Sequence, residues 1–407
     1  MRGKFRVNAF VIWLFLGATA LMVLGAVLIG VMSEVSPRPE TLHYFSMEFL
    51  QKAARYEQAS LFLYLTRQMV VLLFFTAAAT WATHYFQGLP RVPPGVAAVY
   101  IAIFLICLYL LTLPLDFYRG FIVEHDFGLS SQGAGSWFID YVKSGLISLL
   151  ITTAGLTGLY YLMLNWPHRW WILAGAGFSI FILLSSYLFP VVIDPLFHNF
   201  TPLEEEAMHT GILSLAESAG IEVEQVLVAD ASQRTQKANA YFTGMGGTRR
   251  IVIYDNLLEK FSSREVLVVI AHEMGHWKHA HIAKGIALAI ITTFISMFLF
   301  HKIIKIMGTG LNLHLVAIFV LFFALLSLVF MPAQNAVSRE FERQADRKAI
   351  ILTEDKEAFI SVKQNLAKTN LGTVQPHPFV RAVMYSHPPI IERIGAARGA
   401  ENIGTGE

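Results

Sequence analysis

Residues 266–281 read VLVVIAHEMGHWKHAH. The segment His272-Glu273-Met274-Gly275-His276 within it matches the pattern HExxH. On an α-helix, positions i and i+4 lie nearly above one another, so His272 and His276 can hold one metal ion between them. Glu273 stands beside the first histidine, where a carboxylate can take a proton from water activated at the metal. The apolar run VLVVIA before the motif places this helix in a low-dielectric core. Two buried histidines there are costly without a shared partner.

Composition sets the surroundings of this helix. Of 407 residues, 55% are hydrophobic and only 15% charged, with a mean hydropathy of +0.53. Soluble proteins carry about a quarter charged residues, so the expected class is a polytopic α-helical membrane protein with polar parts attached. The net charge of +2 is too small to point to a nucleic-acid partner. The single cysteine, Cys107, allows no intrachain disulfide and no thiolate zinc site; it reads as a small buried apolar residue.

The apolar runs predict about seven spans, at residues 9–32, 68–86, 96–117, 143–164, 167–189, 282–306 and 314–330. The first has no clear signal-peptidase site and is too long for a signal core, so it reads as a membrane helix. Residues 33–66 read as a loop with a helical piece, and residues 119–140 as a polar loop. From His198 the chain turns soluble in composition. A capped helix is expected over 202–219, a strand over 222–229, and a hairpin from 239–243 and 249–254. The seventh span is expected to end near Pro332. Four segments result: a membrane domain at 1–197, a first metal-domain part at 198–281, two further spans at 282–337, and a second metal-domain part at 338–407. The fold class is thus a helical membrane bundle with an inserted α+β zincin-type domain. Orientation stays open. Arg2, Lys4 and Arg6 favour an inside N-terminus, whereas Arg339, Arg343, Arg347 and Lys348 favour an inside C-terminal segment, on the opposite face of seven spans.

A catalytic zinc site usually has three protein ligands and one open position. The extended pattern HExxHxxGxxH is excluded, because His279 and Ile282 occupy its glycine and third-histidine positions. His279 and His281 read as interfacial histidines. The better third ligand lies in SREFERQAD, residues 338–346. Glu342 and Asp346 share a helix face with Ala345 and Ala349, whose small side chains permit close packing on the metal helix. Glu342 can then ligate, and Asp346 can orient a ligand histidine. Two other classes compete. A transporter usually carries charges inside its spans, and those between residues 9 and 164 are nearly free of them. A scaffold with structural zinc has four ligands and needs no carboxylate like Glu273.

Taken together, the motifs resemble the integral-membrane zinc metalloproteases that include the type I CAAX prenyl protease. The matching stretches are HEMGH at 272–276, EFERQAD at 340–346, NAYFTG at 239–244, DPLFHNFTPLEE at 194–205, SHPPIIERI at 386–394 and EHDFGLSSQ at 124–132. The resemblance implies one Zn2+ bound by His272, His276 and Glu342, with Glu273 as general base and proton donor. It implies Asp346 and Arg393 as supports of the site, His387 as stabiliser of the tetrahedral intermediate, and Asn239, Ala240 and Tyr241 as a substrate-pairing strand. The chain is compact, as prokaryotic members are. The implied substrate is a peptide or protein, either prenylated or membrane-embedded, cleaved after a prenylated cysteine or in membrane-protein quality control. The implied location is a prokaryotic cell membrane, with the catalytic domain cytoplasmic.

Overall fold

The computed structural model describes residues 17, 20–25, 27–32, 36–86, 90–244, 249–308 and 310–399. Most of the expected first span lies outside these residues; its described part belongs to a short apolar helix, α1 (Ala20–Met32). Next come α2 (Pro39–Tyr44), α3 (Met47–Phe86), α4 (Pro94–Phe117), α5 (Glu124–Asp126), α6 (Ala134–Asn165) and α7 (Trp170–Leu188). The inserted domain contributes β1 (Phe200–Pro202), α8 (Glu206–Ala219), β2 (Gln225–Ala229), β3 (Ala240–Thr243), β4 (Arg250–Tyr254), α9 (Asp255–Lys260) and α10 (Ser263–Lys278). Then follow α11 (His281–Met307), α12 (His314–Thr353), α13 (Lys356–Asn370), α14 (Pro378–Met384) and α15 (Ile390–Gly399). Among the described residues, six helices are long and apolar enough to cross a bilayer: α3, α4 with its extension to Asp126, α6, α7 with its extension to Leu196, α11 and α12.

Several boundaries differ from those expected. Residues 47–66 are helical, because α3 runs 40 residues, about 60 Å, roughly twice the length a bilayer requires. A bilayer needs only about half of that length, which leaves room for the polar residues of the helix's first half. The polar loop expected at 119–140 begins as a π-helical turn, Tyr118–Val123, continues through α5, and gives way to α6 at Ala134. The chain stays helical past the end of the span despite Pro114 and Gly120, and leaves the helix at Gly128, whose φ is +76°. The helix expected from residue 202 starts at Glu206, and Pro202 ends β1 instead. That strand is a sheet edge, where a missing N–H is tolerated. The seventh span does not stop near Pro332. Helix α12 passes through it for 40 residues. An interior proline costs about 3 kcal/mol, and packing of α12 against α3 on one stretch and α10 on another carries the helix through.

The sheet has the order β1-β2-β4-β3, with β2 and β4 parallel and the other pairs antiparallel. Strand β3 is thus an edge. One core fills the bundle, around Tyr160, Trp170, Phe300 and Phe322. A second lies between sheet and helices, around Ile212, Ile253, Ile270, Met274 and Phe359. A capping box of Ser262 and Glu265 starts α10. Left-handed Ala280, at φ 53°, turns the chain from α10 into the span α11.

Candidate active site

Helix α10 buries the face carrying Val268, Ala271, His272 and Gly275, and α12 lies directly on it. Gly275 sets the approach: a Cβ there would stand 2.9 Å from Cα and 3.0 Å from O of Ala345. Ala345 and Ala349 are fully buried, so two small-residue surfaces meet. This contact brings Glu342, one turn before Ala345, to the two motif histidines.

The three residues bring their donor atoms into a tight triangle, one Glu342 oxygen facing each histidine. His272 Nε2 and His276 Nε2 are 3.2 Å apart. Glu342 places Oε2 3.3 Å from the first and Oε1 3.2 Å from the second. Donors about 2.0–2.1 Å from a tetrahedral zinc would be about 3.3–3.4 Å apart, so the set fits one metal ion. Glu342 Oε2 is buried and makes no hydrogen bond, lying 3.4 Å from Arg393 Nη2, so it keeps a lone pair that a cation can satisfy. Glu340 faces elsewhere, pairing with Arg343 at 3.2 Å and Arg347 at 3.3 Å.

The supporting residues orient these donors. His272 turns Nδ1 to Asp346 Oδ1 at 3.0 Å. Asp346 in turn receives Arg393 bidentately, at 2.7 and 2.6 Å, and Lys363 Nζ at 3.1 Å. Lys363 is 6% exposed. Burial and the neighbouring Arg393 push its ammonium pKa down, while the Asp346 carboxylate pulls it back up. A second chain of contacts supports His276. Gln344 Nε2 donates to Glu340 Oε1 at 3.2 Å, which turns the amide oxygen to His281 Nε2 at 3.1 Å. An amide oxygen only accepts, so a neutral His281 carries its proton on Nε2 and accepts at Nδ1. His276 Nδ1, 3.0 Å away, then donates and leaves its Nε2 lone pair for a metal.

Glu273 is partly exposed in the cleft. Burial raises its carboxyl pKa, opposed by His272, His276 and a backbone hydrogen bond from Phe242. His387 is exposed and brings Nε2 to 3.2 Å from Glu342 Oε1. Its Nδ1 is 2.9 Å from Ser386 Oγ.

The edge strand lies along the same cleft. The carbonyl of Asn239 accepts from Tyr254 N–H at 3.0 Å, so Asn239 faces β4. In an antiparallel ladder alternate residues face alternate sides, so Tyr241 also faces β4. Ala240 and Phe242 turn their backbone groups outward. Among the residues that the resemblance implies for substrate pairing, only Ala240 therefore turns its main-chain groups away from β4; Phe242 does the same, but its N–H is already bonded to Glu273. Sequence reading also missed Lys363 and the Gln344–His281 pair. Lys363 had a legible signal: it falls on the helix face of Phe359, Val362 and Ala367, all buried. His281 and Gln344 had none, since 63 residues separate them.

Comparison with known proteins fits this architecture. A profile described as "Peptidase family M48" matches residues 202–401, and one described as "CAAX prenyl protease N-terminal, five membrane helices" matches residues 29–199. The chain is 36% identical over 303 residues to the uncharacterized metalloprotease YhfN of Bacillus subtilis, covering 72% of this chain and 71% of that one. It is 31% identical over 326 residues to CAAX prenyl protease 1 of Saccharomyces cerevisiae, covering 70% and 68%. The crystal structure of S. mikatae Ste24p has the same fold, with a TM-score of 0.80 at 24% identity over 94% of this chain and 98% of that one. A helical membrane bundle that carries a histidine–glutamate site, together with these matches along nearly its whole length, makes the chain a member of peptidase family M48, a membrane metalloprotease.

Proposed function

We propose that this protein is a zinc endopeptidase that cleaves peptides presented at the membrane, with a prenylated CAAX C-terminus as its preferred substrate. The observation carrying this reading is the donor triangle of His272, His276 and Glu342 with Glu273 beside it. His272, His276 and Glu342 would hold the zinc. When bound, zinc supplies a Lewis acid that polarises water and the scissile carbonyl. Glu273 accepts the proton of the attacking water and delivers it to the leaving amine. His387, at the rim of the triangle, donates to the oxygen on which negative charge develops. Ala240 and the Phe242 carbonyl offer main-chain groups to an extended substrate, which would add as a further strand. Asp346, Arg393 and Lys363 keep His272 oriented. The preference for prenylated peptides is supported by relatives named CAAX prenyl protease 1. The basic residues along α12 support a cytoplasmic position for the catalytic domain.

Mass spectrometry of products from a farnesylated CAAX peptide and its unmodified counterpart tests the substrate. Release of the three terminal residues from the farnesylated peptide alone is the expected result. Equal cleavage of both peptides would point to broader membrane-protein proteolysis, and cleavage of neither would remove the CAAX assignment.

A further inference from the structure

The two cleft walls come from distant parts of the chain. Strand β3 belongs to the domain between α7 and α11, whereas His387 follows α12. No covalent link sets their separation. Helix α3 touches both through neighbouring residues, Tyr56 and Glu57, which point about 100° apart on a helix.

On one side, Tyr56 Oη donates to Glu124 Oε1 at 2.5 Å and receives Lys237 Nζ at 3.0 Å. Lys237 also pairs with Glu124 at 2.8 Å, and its ammonium lies 5.3 Å from the centre of the Tyr56 ring. Lys237 leads directly into β3. The next residue, Ala238, is bracketed by the Asn370 side chain, which accepts from its N–H at 2.9 Å and donates to its carbonyl at 3.0 Å. On the other side, the Tyr385 hydroxyl donates to Glu57 Oε1. Burial, then the Glu57 carboxylate, hold the Tyr385 phenol well above its ordinary pKa, so it remains a donor. Tyr385 stands two residues before His387. Its carbonyl accepts from Arg339 Nη1 at 2.6 Å, and Asn335 Nδ2 donates to the Val383 carbonyl at 2.5 Å. The loop bearing His387 is therefore held by α12 through its backbone and by α3 through the Tyr385 side chain.

We propose that Tyr56 and Glu57 form one positioning point on the membrane helix α3 that sets the distance between the substrate-pairing strand and His387. Tyr56 acts through Lys237 on the strand, and Glu57 acts through Tyr385 on the histidine. Neither touches the reacting atoms. The inference rests on the roles proposed above for β3 and His387. Because both contacts leave adjacent residues of one helix, the spacing of the two anchor points is fixed by that helix.

The two arms predict different kinetic signatures. In the full-length protein, assayed on whichever of the two peptides above it cleaves, Tyr385→Phe and Glu57→Leu lower kcat by roughly 10- to 100-fold with KM little changed. Glu57→Gln, which keeps an acceptor for the tyrosine hydroxyl, restores most of the rate. Tyr56→Phe and Lys237→Met instead raise KM more than they lower kcat. Zinc content stays at one per chain in all of them. In a His387→Ala background, Tyr385→Phe causes no further loss, because the residue it positions is gone. An equal loss in both backgrounds overturns the inference by making Tyr385 a general structural residue. Wild-type kcat in Tyr385→Phe, or one shared signature for both arms, overturns it as well. Full activity in His387→Ala refutes the role of His387 itself, and the Glu57 arm falls with it. Should Glu57→Leu not fold, Tyr385→Phe, which removes a single hydroxyl, carries the test.

Discussion

Gly275→Ala probes the contact that assembles the site. Two effects oppose each other. In an ordinary helix interior, replacing glycine by alanine stabilises by about 1 kcal/mol. Here the new Cβ would lie 2.9 Å from Ala345 Cα, 3.0 Å from its carbonyl oxygen and 3.2 Å from Lys348 Cβ. Carbon atoms make contact at about 3.5–4.0 Å, so α10 and α12 must part by roughly 0.5–1 Å. Overpacking of that kind costs about 1–3 kcal/mol, leaving a net destabilisation of about 0–2 kcal/mol. The damage to the site is larger. Glu342 and Asp346 move with Ala345, while metal–ligand distances tolerate only about 0.2 Å. The expected outcome is a folded protein whose zinc affinity falls at least roughly tenfold and whose kcat falls by about 100-fold. Both contacted atoms of Ala345 are backbone, so adding Ala345→Gly gives no relief. Chelator titration with metal analysis, thermal unfolding in detergent and peptidase kinetics read the three quantities. A variant with wild-type zinc affinity and activity and a raised Tm would show that close approach of these helices does not build the site.

Glu273→Gln should retain stoichiometric zinc while kcat drops by about 10² or more; full peptidase activity in this variant would refute its role as base. Metal analysis of purified variants separates the carboxylates of α12. Glu342→Ala should lose zinc and activity, Asp346→Ala should weaken zinc by about 10–100-fold, and Glu340→Ala should do little, since it meets the site only through Gln344 and His281. Zinc retained in Glu342→Ala but lost in Glu340→Ala would put the ligand on the wrong face. Glu265 accepts from the Ser262 N–H and hydroxyl, Ser361 and Asn365; burial raises its pKa, but these bonds lower it overall from 4.5. A carboxyl depressed in the folded state stabilises above its unfolded pKa and loses that contribution as pH falls through the folded value. Glu265→Gln should therefore lower Tm at pH 7, with the deficit shrinking below pH 4.5; a deficit independent of pH would contradict this. Protease protection of a tag on the C-terminal segment, compared in inverted and right-side-out vesicles, tests the cytoplasmic orientation, and digestion only from the outer face would refute it.

The membrane class, the metal helix and the small sheet were legible in the sequence because each rests on local periodicity. An apolar run long enough to span a bilayer, histidines at i and i+4, and alternation around a glycine-rich turn all lie within one element. The HExxH pattern and the small-residue face of Glu342 carried most of the donor set for the same reason. Element ends were less legible. Pro332 reads as a stop, yet α12 continues, because the packing that sustains it comes from α3 and α10, which are distant in sequence. Only the tertiary structure decided which groups surround the donors. Lys363 and Arg393 converge on Asp346 from two further helices, His281 reaches His276 across a left-handed turn, and Glu57 meets Tyr385 across 328 residues. The choice of Ala240 and Phe242 as outward-facing residues depends on the register with β4, which shifts by a full face for each residue of slip. Local pattern identifies the chemistry a helix can carry, whereas the distances that make a site come from the packing of elements whose separation along the chain encodes nothing about their separation in space.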